Sequence, residues 1–179
     1  EALCRDGVTV AFTKRSLQEC LIISKKILKD KEQNPKWHSI SNTIPLLKRI
    51  ADWMDGIVTQ LRKMKKEEFV FPSNESIFKE WGVTIETFED LQSDFKTMID
   101  GGYEEPIIPL QISSVIEHLW VLFGLCFRNN KKNINNFKLM VILKGNPGDE
   151  QFLGLEMLPS DPFALITREA RSVILASGT

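Results

Sequence analysis

The chain has 179 residues, enough for one domain with a sizeable core. At 42% hydrophobic and 26% charged residues it sits among globular proteins, and its net charge of −1 provides no global positive field to draw it onto nucleic acid. The longest apolar run, Leu119 to Phe127, falls far short of the roughly twenty residues that a bilayer span needs, so no membrane helix is expected.

The first element is a short β-type run, Gly7 to Phe12. Thr13 stands where a helix N-cap belongs, and Leu17, Leu21, Ile22, Ile23, Ile27 and Leu28 follow at helical spacing. The polar stretch from Lys29 to Ser41, with Pro35, breaks that helix. The second helix is the clearest. Thr43 is its expected cap and Pro45 lies in its first turn. Leu46, Leu47, Ile50, Trp53, Met54, Ile57, Val58, Leu61 and Met64 then make one apolar stripe. Gly56 costs that helix about 1 kcal/mol relative to alanine. Arg62, Lys63, Lys65 and Lys66 close it. They read either as charges complementing the helix C-terminus or as a basic patch for phosphate.

Phe69 to Pro72 reads as an apolar connector. A short helix through Ile77, Phe78 and Trp81 stops at Gly82. Thr84 caps the next helix, whose stripe is Ile85, Phe88, Leu91, Phe95, Met98 and Ile99, ending at Gly101-Gly102. After Pro106 and Pro109, a helix from Leu110 to Phe127 is apolar on nearly every side and is expected at the centre of the bundle. The asparagine-rich loop Asn129 to Asn136 carries Lys131 and Lys132. Phe137 to Lys144 and Gln151 to Leu158 are β-type runs joined by turn residues, so they read as a hairpin. Ser160 or Asp161 with Pro162 starts a short helix to about Ala170. Ser172 to Ala176 then reads as a buried strand running into Ser177-Gly178-Thr179. In parallel sheets ligand chemistry gathers just past such a strand end, so the chain reads as a piece of a larger machine.

The layout is strand, helical insert, hairpin, helix, strand. The two outer strands look like parts of one sheet, with the helices inserted between them. Chemistry of its own is missing. There is no phosphate-cradling glycine loop, no nucleophile elbow, and no paired histidines at metal spacing. His38 and His118 lack the cysteines or carboxylates that a zinc site needs. Cys4, Cys20 and Cys126 are odd in number and widely spaced, which suits free buried thiols.

Two stretches carry a family resemblance. The end, ARSVILASGT, resembles motif III of the iron–sulfur superfamily-2 DNA helicases related to the xeroderma pigmentosum group D protein, whose usual form is a hydrophobic strand followed by T-S-G-T-L-S-P. Here Ala176 stands in place of the usual threonine. The start, EALCRDGVTVAFTKRSLQ, resembles the segment after the DEAH box. Between them, Phe78-Lys-Glu-Trp-Gly-Val-Thr-Ile-Glu-Thr-Phe-Glu-Asp-Leu-Gln and the helix over residues 108–127 are most similar to the Fanconi anaemia group J branch, with the regulator of telomere elongation branch close behind. The second hairpin strand departs from that branch in lacking an aromatic-Trp-Cys run.

The resemblance implies a mainly α fold: a helical arch-type bundle with a small β-hairpin, inserted between strands of an α/β motor domain. Residues 1–12 would be the edge of the motor, 13–136 the arch, 137–170 the hairpin and returning helix, and 171–179 a motor strand with motif III. It implies an ATP-driven 5′→3′ DNA helicase of the nucleus, acting in repair or genome maintenance, with the arch helping to fence a pore for single-stranded DNA. ATP, magnesium and a 4Fe–4S cluster would belong to the parent protein, with no metal or catalytic residue in this stretch. Ser177, Gly178 and Thr179 would couple nucleotide state to strand grip. Arg62, Lys63, Lys65, Lys66, Lys131 and Lys132 are the candidate DNA backbone contacts, and further protein partners would meet the arch surface. The competing reading is a helical protein–protein interaction module with no nucleic-acid role.

Overall fold

The computed structural model describes residues 9–29, 40–100, 110–127, 137–143 and 146–156. It is mainly helical, with five helices and a small antiparallel sheet among those residues. In chain order the elements are β1 (Thr9–Thr13), α1 (Lys14–Lys29), α2 (Thr43–Met64), β2 (Glu68–Val70), α3 (Asn74–Trp81), α4 (Ile85–Asp100), α5 (Leu110–Phe127), β3 (Phe137–Ile142) and β4 (Gln151–Glu156).

Local signals start the helices where the side chains dictate. At α1 the Ser16 N–H donates to Thr13 Oγ1 and the Thr13 N–H donates back to Ser16 Oγ, both at 3.1 Å. This reciprocal pair satisfies two amides that the helix itself cannot. Thr84 and Thr87 repeat the arrangement before α4, with the Thr84 N–H at 2.8 Å from Thr87 Oγ1 and the Thr87 N–H at 3.3 Å from Thr84 Oγ1.

The start of α2 differs from the expectation. Asn42 is the N-cap, with no capping bond from its own side chain, and Thr43 is already helical. The acceptor comes from α4 instead. Asp94 Oδ2 receives the Asn42 N–H (2.9 Å), the Thr43 N–H (3.0 Å) and the Thr43 hydroxyl (3.2 Å). Asp94 is only 2% exposed. Burial raises its pKa above the ordinary aspartate value, against the pull of these hydrogen bonds, which favour the ionised form.

Phe69 to Pro72 is more than a connector, because residues 68–70 form β2 and complete a sheet of order β1-β4-β3-β2. Every neighbouring pair is antiparallel, and the hairpin of β3 and β4 sits at the centre of the sheet. β1 therefore pairs with the hairpin, Phe12 opposite Phe152 and Val10 opposite Gly154. The terminal run 172–176, its expected neighbour, lies outside the described residues.

Strand alternation puts Val10, Phe12, Phe152, Leu139, Val141 and Phe71 on one face, and all six are buried. α5 crosses beneath this face, packing against β1, α1 and α4. Gly154 is crowded by its own cross-strand partners within the sheet. A Cβ there would stand 3.1 Å from Leu139 Cδ2 and 3.3 Å from Val10 Cβ. Trp53, Trp81 and Phe152 meet between sheet and helices, with Trp53 and Trp81 edge to face at 5.2 Å and Trp81 5.5 Å from Phe152. Such pairs add about 0.5–1.5 kcal/mol beyond their burial. Phe78, Phe88 and Phe95 extend the cluster onto Phe123 of α5, which bears out the central place expected for that helix.

Two apolar stripes hold with exceptions. Ile22 in α1 is 66% exposed, and Met64 at the end of α2 is 56% exposed. Cys20 and Cys126 are both buried, and burial pushes the Cys20 thiol up to about 12. Among the described residues no helix is long and apolar enough to cross a membrane.

Candidate nucleic-acid interface

The basic cluster sits where α2 stops. The helix ends with Lys65 in the left-handed region, at φ 54°. The Lys65 N–H donates to the Arg62 carbonyl (3.3 Å) and the Lys66 N–H to the Leu61 carbonyl (3.0 Å). This backbone closure uses up two otherwise orphaned carbonyls and turns the chain sharply toward β2. Four cations thus gather at the negative end of the helix dipole, a favourable place for them.

They do not do the same work. Arg62 Nη2 lies 2.5 Å from Glu150 Oε1. Glu150 is only 2% exposed at its side chain, and its second oxygen accepts the Gly148 N–H at 2.7 Å. Arg62 therefore ties the end of α2 to the loop before β4. The same loop also reaches α1. The Glu150 carbonyl accepts the Lys14 N–H (2.8 Å), the Gly148 carbonyl accepts the Arg15 N–H (3.0 Å), and Arg15 pairs with Asp149 at 3.2 Å. Lys14 pairs in turn with Asp55 of α2. Three elements are held at this corner by charge and backbone together.

Lys63, Lys65 and Lys66 are exposed, and none forms an ion pair with a described residue. Beside them lies exposed apolar surface: Met64 at 56%, Phe69 at 37% and Val70 at 45%. Phe69 is held edge-on by Phe71, ring centroids 4.8 Å apart, and Phe71 in turn lies 5.0 Å from Trp53. Exposed ammonium groups beside a braced, part-exposed ring are chemistry that suits a phosphate backbone and a stacked base.

The other expected site residues, Lys131, Lys132, Ser177, Gly178 and Thr179, lie outside the described residues. Among the described residues no three histidine, cysteine or acidic side chains come together as a metal site. His118 is half-buried on α5, and its Nδ1 has no hydrogen-bond partner among the described residues. The sequence reading missed two residues here. Glu150 carries no local signal, because its partner Arg62 is 88 residues away. Phe69 read as part of an apolar connector, and its exposure follows from its place on an edge strand. No family model, curated protein or solved structure matches the chain.

Proposed function

We propose that this chain is the arch region of an ATP-dependent 5′→3′ DNA helicase of the iron–sulfur superfamily-2 group, with the end of α2 lying against single-stranded DNA. The observation that carries the reading is the order of the end segments: a sequence like the one after a DEAH box at the start and a motif III-like sequence at the finish, with a helical body between. The exposed Lys63, Lys65 and Lys66 beside Phe69 support a strand contact. In this reading ATP, magnesium and the 4Fe–4S cluster belong to the parent protein, whose work is genome maintenance in the nucleus. Ser177, Gly178 and Thr179 would pass nucleotide state to the strand.

The contact is tested by measuring binding of a single-stranded oligonucleotide across a salt series. Charge reversal at Lys63, Lys65 and Lys66 together should flatten the dependence of log K on log salt by about 2, since each lost phosphate contact removes roughly 0.7. An unchanged slope would remove these lysines from the strand path. The chain alone should turn over no ATP. The parent's sequence just before Glu1 tests the family, and a DEAH box is expected there.

A second reading, an interaction module without a nucleic-acid role, draws support from the apolar exposure of Met64, Phe69 and Val70.

A further inference from the structure

β2 is the last strand of its sheet, and among the described residues nothing pairs with its far side. The register shows which backbone groups that side presents. The Phe71 N–H donates to the Leu139 carbonyl (2.9 Å), and the Leu143 N–H donates to the Glu67 carbonyl (2.6 Å). Phe69 lies opposite Val141, midway between them. Residues 67, 69 and 71 therefore spend their backbone groups on β3, and antiparallel alternation turns the N–H and C=O of Glu68 and Val70 outward. Two donors and two acceptors stand along this edge.

A groove runs beside the same strand, lined chiefly by Trp53, Ile57, Phe69, Phe71 and Ile77, with Glu80 at its margin. Its volume of about 230 Å³ lies below the roughly 300–1,000 Å³ of small-molecule sites, so it suits peptide side chains better than a whole cofactor. Phe69 faces the groove side of the sheet, whereas Glu68 and Val70 face the other. Lys63, Lys65 and Lys66, unpaired by any described carboxylate, stand at the start of the strand.

We propose that this edge docks an extended peptide from a partner protein. The peptide would add antiparallel to β2, in keeping with the rest of the sheet. Its backbone would pair with Glu68 and Val70, and alternate apolar side chains would enter the groove. An antiparallel strand brings its C-terminal end to the start of β2, where the lysines are, so the recognised segment is apolar-alternating and then acidic. Main-chain pairing supplies affinity, while the groove and the ammonium groups supply selection.

The probe is a dye-labelled synthetic peptide that alternates isoleucine with threonine and ends in a run of glutamates, read by fluorescence anisotropy. Val70→Pro removes one outward N–H. Proline is tolerated at an edge position whose N–H faces away from the sheet, so the circular dichroism spectrum and Tm should hold. Peptide affinity should fall about tenfold or more. The same peptide N-methylated at its threonines gives a second measurement on the unaltered chain, and it should bind equally poorly. Charge reversal of the three lysines should weaken binding about tenfold and abolish its salt dependence. A single-stranded oligonucleotide needs the lysines but no strand pairing, so loss of peptide alone in Val70→Pro supports the proposal, whatever becomes of the helicase reading. Peptide affinity unchanged in Val70→Pro, full affinity for the N-methylated peptide, or equal loss of peptide and oligonucleotide overturns it.

Discussion

At its first turn α2 is closed by a carboxylate from another helix, and at its last turn by its own backbone with a ring of charges in water. The Asp94 carboxylate collects three donors inside the core. Lys65 and Lys66 close the far end through main-chain bonds alone, leaving their side chains exposed. The difference separates the side chains that hold this helix in the fold from those left in water. The closed end fixes α2 against α4, and the open end can meet a partner because its side chains are not needed for the fold. Only Arg62 crosses over, since its guanidinium is committed to Glu150.

The largest test of this contrast is Asp94→Ala. It leaves two amides and a hydroxyl without their acceptor and should cost about 2–3 kcal/mol in urea unfolding. Asp94→Asn keeps one acceptor oxygen and sharpens the point through pH. The folded-state pKa of Asp94 is raised, so the folded chain holds its proton at pH values where the unfolded chain has released it. Stability from this group is full below the ordinary aspartate value and is lost as pH rises through the raised one. Relative to the parent, Asp94→Asn should therefore gain stability across that window and hold the gain above it. A pH-independent difference would mean that the Asp94 pKa is the same in the folded and unfolded chain.

A smaller effect is expected at the open end. Arg62→Ala leaves a buried carboxylate with the Gly148 N–H as its remaining described partner. It should cost about 1.5–2 kcal/mol, moderated because Arg62 is itself half exposed. If stability is unchanged, the Glu150 corner is not what holds the end of α2.

The smallest pair contrasts two chain reversals of the same kind. α3 ends as α2 does, with the Gly82 N–H on the Lys79 carbonyl (3.1 Å) and the Val83 N–H on the Phe78 carbonyl (2.8 Å). Gly82 has φ 70°, and Arg49, which donates to the Trp81 carbonyl at 3.1 Å, covers the place where a Cβ would stand. Gly82→Ala should cost about 1–2 kcal/mol. Lys65 occupies the same left-handed geometry in the open, so Lys65→Gly should gain about 0.5–1 kcal/mol by thermal unfolding. Equal and opposite shifts would mean that backbone preference alone separates the two sites and that the Arg49 cover adds nothing.

Much of the architecture was readable beforehand. The Thr13 and Thr84 caps, the stripes of α2 and α4, the apolar α5 and the hairpin all stand where their residues indicated. Each rests on neighbours a few positions apart. What escaped was the strand over residues 68–70, the cap supplied by Asp94, the Arg62–Glu150 tie, and the exposure of Ile22, Met64 and Phe69. The candidate interface was half legible. Its lysines were visible as a cluster, but nothing local separated the committed Arg62 from the uncommitted Lys63, Lys65 and Lys66.

By itself the amino-acid sequence determined the helices, the local caps of α1 and α4, and the alternating strands of the hairpin, because periodicity and capping act within a turn or two of the chain. The tertiary structure decided which strand lies at the sheet's edge, which carboxylate closes α2, and which cation at its end remains available. Those outcomes depend on groups 51 and 88 residues apart meeting in space, and side-chain chemistry at one position carries no record of a partner so distant.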